Sequence, residues 1–196
     1  MNVIKRSDVF NKFHNGMERI DSYAIDKIII HGTGGGASAY ALLDGWILTP
    51  GFERARAYRN GEGFPYLVDR NGDIIELCDT DKYWQYHSGT WVPGKSYQHD
   101  MSTIGIELVN PHPTNQVEYK PDQYASLIEF IIGTLLIKFD IKEIWGHGAF
   151  QFSKTGKGKV CPGPRFDWNI LINEMISSGW QFEAAAESIT NITKEF

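Results

Sequence analysis

Three side chains spread widely along the chain have the chemistry of a zinc site. His31 follows Ile28-Ile29-Ile30 and precedes Gly32. His147 follows Ile144-Trp145-Gly146, and Cys161 precedes Pro162-Gly163-Pro164. Two imidazoles and a thiolate are good zinc donors, and three protein ligands leave the fourth tetrahedral position for water, as in catalytic sites. Zinc held this way would lower the pKa of that water toward ~7 and polarise a carbonyl. Taken singly, the residues say little. No short motif such as HExxH joins them, a lone histidine is more often hydrogen-bonded or at the surface, and a lone cysteine is by default an inert buried thiol.

Convergence of such residues needs a rigid frame whose strand ends carry them. Ile25 to Ile30 is a short β-branched run that fits a buried strand ending on His31, and Gly32, Gly34, Gly35 and Gly36 then turn it into a loop. Residues 37–59 read as partly helical, interrupted at Thr49-Pro50-Gly51. Asn71-Gly72 between Tyr66-Leu67-Val68-Asp69 and Asp73-Ile74-Ile75-Glu76-Leu77 predicts an antiparallel hairpin. Thr103 to Val109 predicts a strand whose Ile104, Ile106 and Leu108 share one face, leaving Gly105 and Glu107 on the other. Tyr124, Leu127, Ile128, Ile131, Ile132, Leu135, Leu136 and Phe139 recur at helical spacing after Pro121. Glu143 to Gly146 is a short strand feeding His147, and Asp167 to Ser177 reads as a helix. The expected fold is α/β (α+β): a single domain over 25–178 with a central mixed sheet flanked by helices. A polar segment over 1–24, read as a short helix or arm, precedes it, and a polar tail over 179–196 follows.

Composition bounds the rest. Of 196 residues 42% are hydrophobic and 22% charged, ordinary values for a globular chain able to bury a core. A formal net charge of −5 argues against a general nucleic-acid binder. No run reaches the ~18 apolar residues that span a bilayer. The polar first 21 residues lack the apolar core of an export signal. The expectation is therefore a chain made in the cytoplasm, acting there or on the wall after phage-type release. The two cysteines, Cys78 and Cys161, are expected to be free rather than paired, and a monomer is the simplest assembly.

Five stretches in order add a resemblance. They are Ile28-Ile29-Ile30-His31, Tyr86-His87-Ser88-Gly89, Thr103-Ile104-Gly105-Ile106-Glu107-Leu108, Ile144-Trp145-Gly146-His147 and Lys159-Val160-Cys161-Pro162-Gly163. Phe166-Asp167-Trp168 closes the pattern. From about Ile25 to Trp168 the chain resembles the type 2 N-acetylmuramoyl-L-alanine amidases. These zinc amidases include phage amidase lysozymes, recycling amidases and peptidoglycan-recognition proteins. The resemblance implies one Zn2+ held by His31, His147 and Cys161, and a peptidoglycan or muropeptide substrate. It also implies that the amide between N-acetylmuramic acid and L-alanine is cleaved.

Further roles follow from the same resemblance. Lys159 matches a catalytic lysine, and a cation beside the metal can stabilise an oxyanion. Read alone it is one loop lysine among Lys154 and Lys157. Glu107 matches a catalytic carboxylate able to act as general base and then to protonate the leaving amine. His87 matches a histidine that lines the substrate groove, its plain alternative being a turn cap. Trp84, Tyr86 and Trp91 lie near it in sequence and suit stacking on sugar or peptide, or simply core. His14, His99 and His112 are expected at the surface. One departure stands out. Many members carry Tyr-His-Phe in the second strand, where the tyrosine helps catalysis; here the aligned residues are Phe64-Pro65-Tyr66. Phe64 has no hydroxyl, and Tyr66 is expected on the same face two residues on, as a substrate-binding residue with Trp84 and His87. The acid–base work then falls to Glu107. Two other classes compete: a non-catalytic peptidoglycan-binding module, against which the retained Cys161 argues, and a structural zinc site, which would need a fourth protein ligand.

Overall fold

Strand formation follows the β-branched runs. In chain order the strands are β1 (Val3–Lys5), β2 (Lys27–Gly32), β3 (Tyr66–Val68), β4 (Ile74–Glu76), β5 (Thr103–Leu108) and β6 (Glu143–Gly146). The helices are α1 (Ala39–Leu42), α2 (Gln98–Met101), α3 (Pro121–Phe130), α4 (Leu136–Lys138), α5 (His147–Thr155) and α6 (Trp168–Ser177). A π-helical stretch, Leu43–Leu48, extends α1, and another, Ile131–Leu135, joins α3 to α4. The computed structural model describes residues 2–6, 18, 23–48, 63–90 and 98–180. The expected interruption at 49–51 and the polar tail beyond residue 180 lie outside them.

The strands form one mixed sheet in the order β1-β4-β3-β5-β2-β6. Among these six described strands only β3 and β4 pair antiparallel, joined by the expected Asn71-Gly72 turn, in which Gly72 has φ 86° and its N–H donates to the Asp69 carbonyl at 3.0 Å. β2 lies between β5 and β6 and runs parallel to both. Ile28, Ile29 and Ile30 are fully buried there, each contributing about 1.5–3 kcal/mol of transfer free energy. The first residues differ from the short helix or arm expected of them: Val3–Lys5 adds an edge strand parallel to β4, with Val3 opposite Ile74. Three half-exposed residues are too few to show a period in sequence.

The two faces of the sheet are unlike. On one, Ile28, Ile30, Ile104, Ile106, Leu108 and Ile144 pack under α3, its continuation and α6, against Leu127, Phe130, Ile131, Trp168 and Leu171. On the other, Leu67, Ile75 and Val109 pack under α1 through Ala39, Leu42 and Leu43. The remainder of that second face carries His31, Gly105 and Glu107. Among the described residues no helix is long and apolar enough to cross a membrane.

One buried polar side chain ties α3 to the sheet. Gln123 is fully buried; its Nε2 donates to the Val109 carbonyl at 3.0 Å and its Oε1 accepts from Lys120 N–H at 3.0 Å. Gln123→Ala leaves both backbone groups without these partners. It should lower stability by about 1–3 kcal/mol, read as a fall in the urea midpoint; an unchanged midpoint would show that water replaces both bonds.

Candidate metal centre

His31 is the next-to-last residue of β2, and parallel pairing sets it beside Glu107 of β5. His147 is the first residue of α5, directly after β6. The loop before Cys161 is pressed onto the start of α5. Gly148 N–H donates to the Cys161 carbonyl at 2.9 Å. A Cβ at Gly148 would collide with the Lys159 carbonyl oxygen, and one at Gly158 would lie 2.7 Å from the Gly148 carbonyl. Glycine at both positions lets two backbones touch, and the touch brings Cys161 to His147.

The ligand atoms of His31, His147 and Cys161 all lie within 4.8 Å of one another, so small side-chain shifts would bring all three to the bonds of about 2.0–2.3 Å that one ion needs. Both histidines are buried. Burial, then the charges of His147, His87 and Lys159, hold His31 well below the usual histidine range. Burial, then Lys159 and His87, pushes His147 down to about 2, with the Ser88 backbone opposing in part. Both rings are thus neutral, with lone pairs to offer. Neither ring nitrogen of His147 has a hydrogen bond of normal geometry, an arrangement that is costly unless something else satisfies it. Burial and then Glu107 push the Cys161 thiol up to about 12, against the Gly32 N–H, which donates to Sγ at 3.4 Å, and the charge of Lys159. A cation at the cluster reverses that balance, because a coordinating thiol is deprotonated outright. The donor set fits zinc. Cys78 is buried elsewhere, and neither cysteine is in a disulfide.

Around the three, the expected residues divide. Glu107 lies on the site face, its Oε1 3.8 Å from His31 Nδ1. Lys159 is exposed, and its charge acts on all three candidate ligands. His87 reaches the site, with Nδ1 3.1 Å from His31 Nε2.

Tyr66 does not. It is buried on the opposite face, edge-on to Phe130, with its hydroxyl 3.0 Å from Thr80 Oγ1. β3 begins only at Tyr66, so strand alternation does not extend back across Pro65. Phe64 packs with the α1 side of the sheet while Tyr66 faces α3. Trp84 is also buried; its indole N–H donates to the Glu18 carbonyl at 3.1 Å and its ring stands edge-on to Tyr86. Burial and that bond leave it packed in the structure rather than lining a groove. Trp91 and His14 lie outside the described residues. His112 makes a turn with Thr114, and His99 is half-buried, edge-on to Phe150.

Sequence reasoning missed Asn115 and Tyr119. Asn115 Oδ1 accepts from Gly34 N–H at 2.9 Å, and Nδ2 donates to the Gly32 carbonyl at 3.3 Å. Tyr119 Oη donates to the Pro162 carbonyl at 2.7 Å. Together they fasten the loop after His31 to the loop after Cys161. Asn115 has φ 54°; asparagine tolerates that region, and its place after Pro113-Thr114 was the one local signal.

Residues 21–164, which contain His31, Glu107, His147, Lys159 and Cys161, match the family model described as N-acetylmuramoyl-L-alanine amidase. The chain belongs to this amidase family. A search of curated proteins finds no match. Among solved structures it is similar to a selenomethionine derivative of AmpD, at 20% identity and TM-score 0.62, covering 88% of this chain and 94% of that one. It is also similar to N-acetylmuramoyl-L-alanine amidase LysC from Clostridium intestinale URNW, at 15% identity and TM-score 0.59, covering 92% and 99%. A third is human PGRP-IBETAC in complex with glycosamyl muramyl pentapeptide, at 17% identity and TM-score 0.61, covering 87% and 94%. At these identities the likeness establishes the fold: a mixed sheet of six strands flanked by helices. Family membership supports peptidoglycan amidase activity.

Two substitutions test the geometry. Gly148→Ala forces the Lys159–Cys161 segment away from His147, so zinc affinity should fall about tenfold or more. Gly133→Ala, where a Cβ meets nothing within 4 Å, should leave affinity intact. Equal affinities in a chelator competition would show that the glycine contact is not needed. Tyr66→Phe should cost about 1 kcal/mol of stability without slowing turnover; a large loss of kcat at unchanged melting would put Tyr66 back in the site.

Proposed function

We propose that this chain hydrolyses the amide between the lactyl carbonyl of N-acetylmuramic acid and L-alanine, in peptidoglycan or a soluble muropeptide. In this reading one zinc is held by His31, His147 and Cys161. The observation that carries it is the cluster itself: two buried, neutral imidazoles and a half-buried thiol within 4.8 Å of one another, with His147 lacking any hydrogen bond of normal geometry. Bound there, zinc would supply Lewis acidity to the substrate carbonyl and the attacking water.

The chain's own groups divide the remaining work. Glu107, beside His31 on the site face, takes the proton as the water oxygen bonds to the carbonyl carbon. It returns that proton to the alanine nitrogen as the C–N bond breaks. Lys159, whose charge already acts on all three candidate ligands, stabilises the negative charge that develops on the carbonyl oxygen.

Peptidoglycan binding without catalysis is the second reading. Phe64 favours it, since no hydroxyl stands at the position where many members carry a tyrosine.

Metal analysis and an assay for L-alanine-headed peptides released from purified peptidoglycan separate the two. The expected result is one zinc per chain with peptide release, and Glu107→Gln retaining zinc while turnover falls about 10²–10⁴-fold. Bound zinc without release would sink the hydrolase and leave the binding module. Full activity in Glu107→Gln would remove the carboxylate from the mechanism.

A further inference from the structure

His87 lies outside the three-ligand cluster, yet its ring is held at both ends. A Cβ at Gly105 would sit 2.8 Å from His87 Cγ and Nδ1, so the ring lies over the one residue of β5 without a side chain. Asp100 Oδ1 accepts from the N–H groups of His87 and Ser88 at 2.9 and 2.8 Å. On the ring, Nδ1 is 3.1 Å from His31 Nε2, and Nε2 is 2.9 Å from Thr103 Oγ1. Thr103 Oγ1 is in turn 3.3 Å from the Asp100 carbonyl oxygen.

Proton bookkeeping gives this chain of contacts a direction. A carbonyl only accepts, so Thr103 donates its single hydroxyl proton to Asp100 and must accept from His87 Nε2–H. A neutral imidazole carries one N–H, so His87 Nδ1 is then an acceptor and His31 Nε2–H donates to it. His31 Nδ1, the nitrogen 3.8 Å from Glu107, is left with a free lone pair. The reverse chain would put a proton on His31 Nδ1 and deprive the Asp100 carbonyl of its donor. We propose that Thr103, acting through His87, is a positioning residue that fixes His31 in the tautomer whose Nδ1 can bind a metal. The inference rests on the assignment of His31 as a ligand.

Two measurements test it. In the metal-free wild-type protein, long-range ¹⁵N–¹H NMR of the histidine rings should show His31 protonated at Nε2 and bare at Nδ1. In a chelator competition, Thr103→Val, which keeps the shape and removes the hydroxyl, should weaken zinc binding about 10–100-fold, the range typical for partners behind a ligand. Thr103→Ser should restore wild-type affinity. Circular dichroism reports whether the valine variant is folded; if it is not, the wild-type NMR and the serine variant decide. A proton on His31 Nδ1, undiminished affinity in folded Thr103→Val, or loss of affinity in folded Thr103→Ser would each overturn the relay while leaving the zinc site standing. A wild-type protein that binds no zinc would overturn both.

Discussion

Parallel pairing makes neighbouring strands end at the same edge of a sheet, and this site depends on that. β2 lies between β5 and β6 and runs parallel to both. His31, Glu107 and, one residue past the end of β6, His147 therefore emerge together. The register is fixed from the opposite face, where Ile28 pairs with Ile104 and Ile144, and Ile30 with Ile106 and Gly146. A slip of one residue would turn these isoleucines toward the site and His31 toward α3. Burial of a few aliphatic side chains thus decides where the polar chemistry stands.

Convergence also needs space, and glycine supplies it where neighbours must come closest. At Gly32 a Cβ would collide with Tyr119 Oη, at Gly105 it would enter the His87 ring, and at Gly148 it would meet the Lys159 backbone. The gain from close approach is electrostatic. Two imidazoles taken out of water stay neutral, and a buried thiol keeps its proton until a cation compensates the lost hydration. The same burial that would be a liability in a plain core is what makes the cluster receptive to a metal.

Elements written in local pattern were legible in the sequence. The isoleucine run, the Asn71-Gly72 hairpin, the alternation along β5 and the helix after Pro121 each declare themselves within a few residues. The types of the candidate ligands were equally plain. Contacts made across the chain were not. Val3–Lys5 becomes a strand only through a partner some 70 residues away. Asn115 and Tyr119 act on Gly32, Gly34 and Pro162 through bonds that no spacing rule reveals. Tyr66 was misplaced for a local reason, because alternation was carried across Pro65 into residues that are not strand.

The relocation of Tyr66 bears on the chemistry. With its hydroxyl held by Thr80 under α3 and Phe64 lacking one, neither aromatic at the departed motif brings an oxygen to His31. Glu107 does, and it owes its place to the alternation of β5. That strand turns Ile104, Ile106 and Leu108 into the core. To the site face it turns Thr103, which meets the His87 ring, Gly105, which makes room for that ring, and Glu107, which stands beside His31. Six consecutive residues therefore couple packing, ligand orientation and the proposed proton transfer. None of these three side chains can move without the strand, so the candidate base and His31 are set by paired strands, while Cys161 is brought to them by the loop pressed onto Gly148.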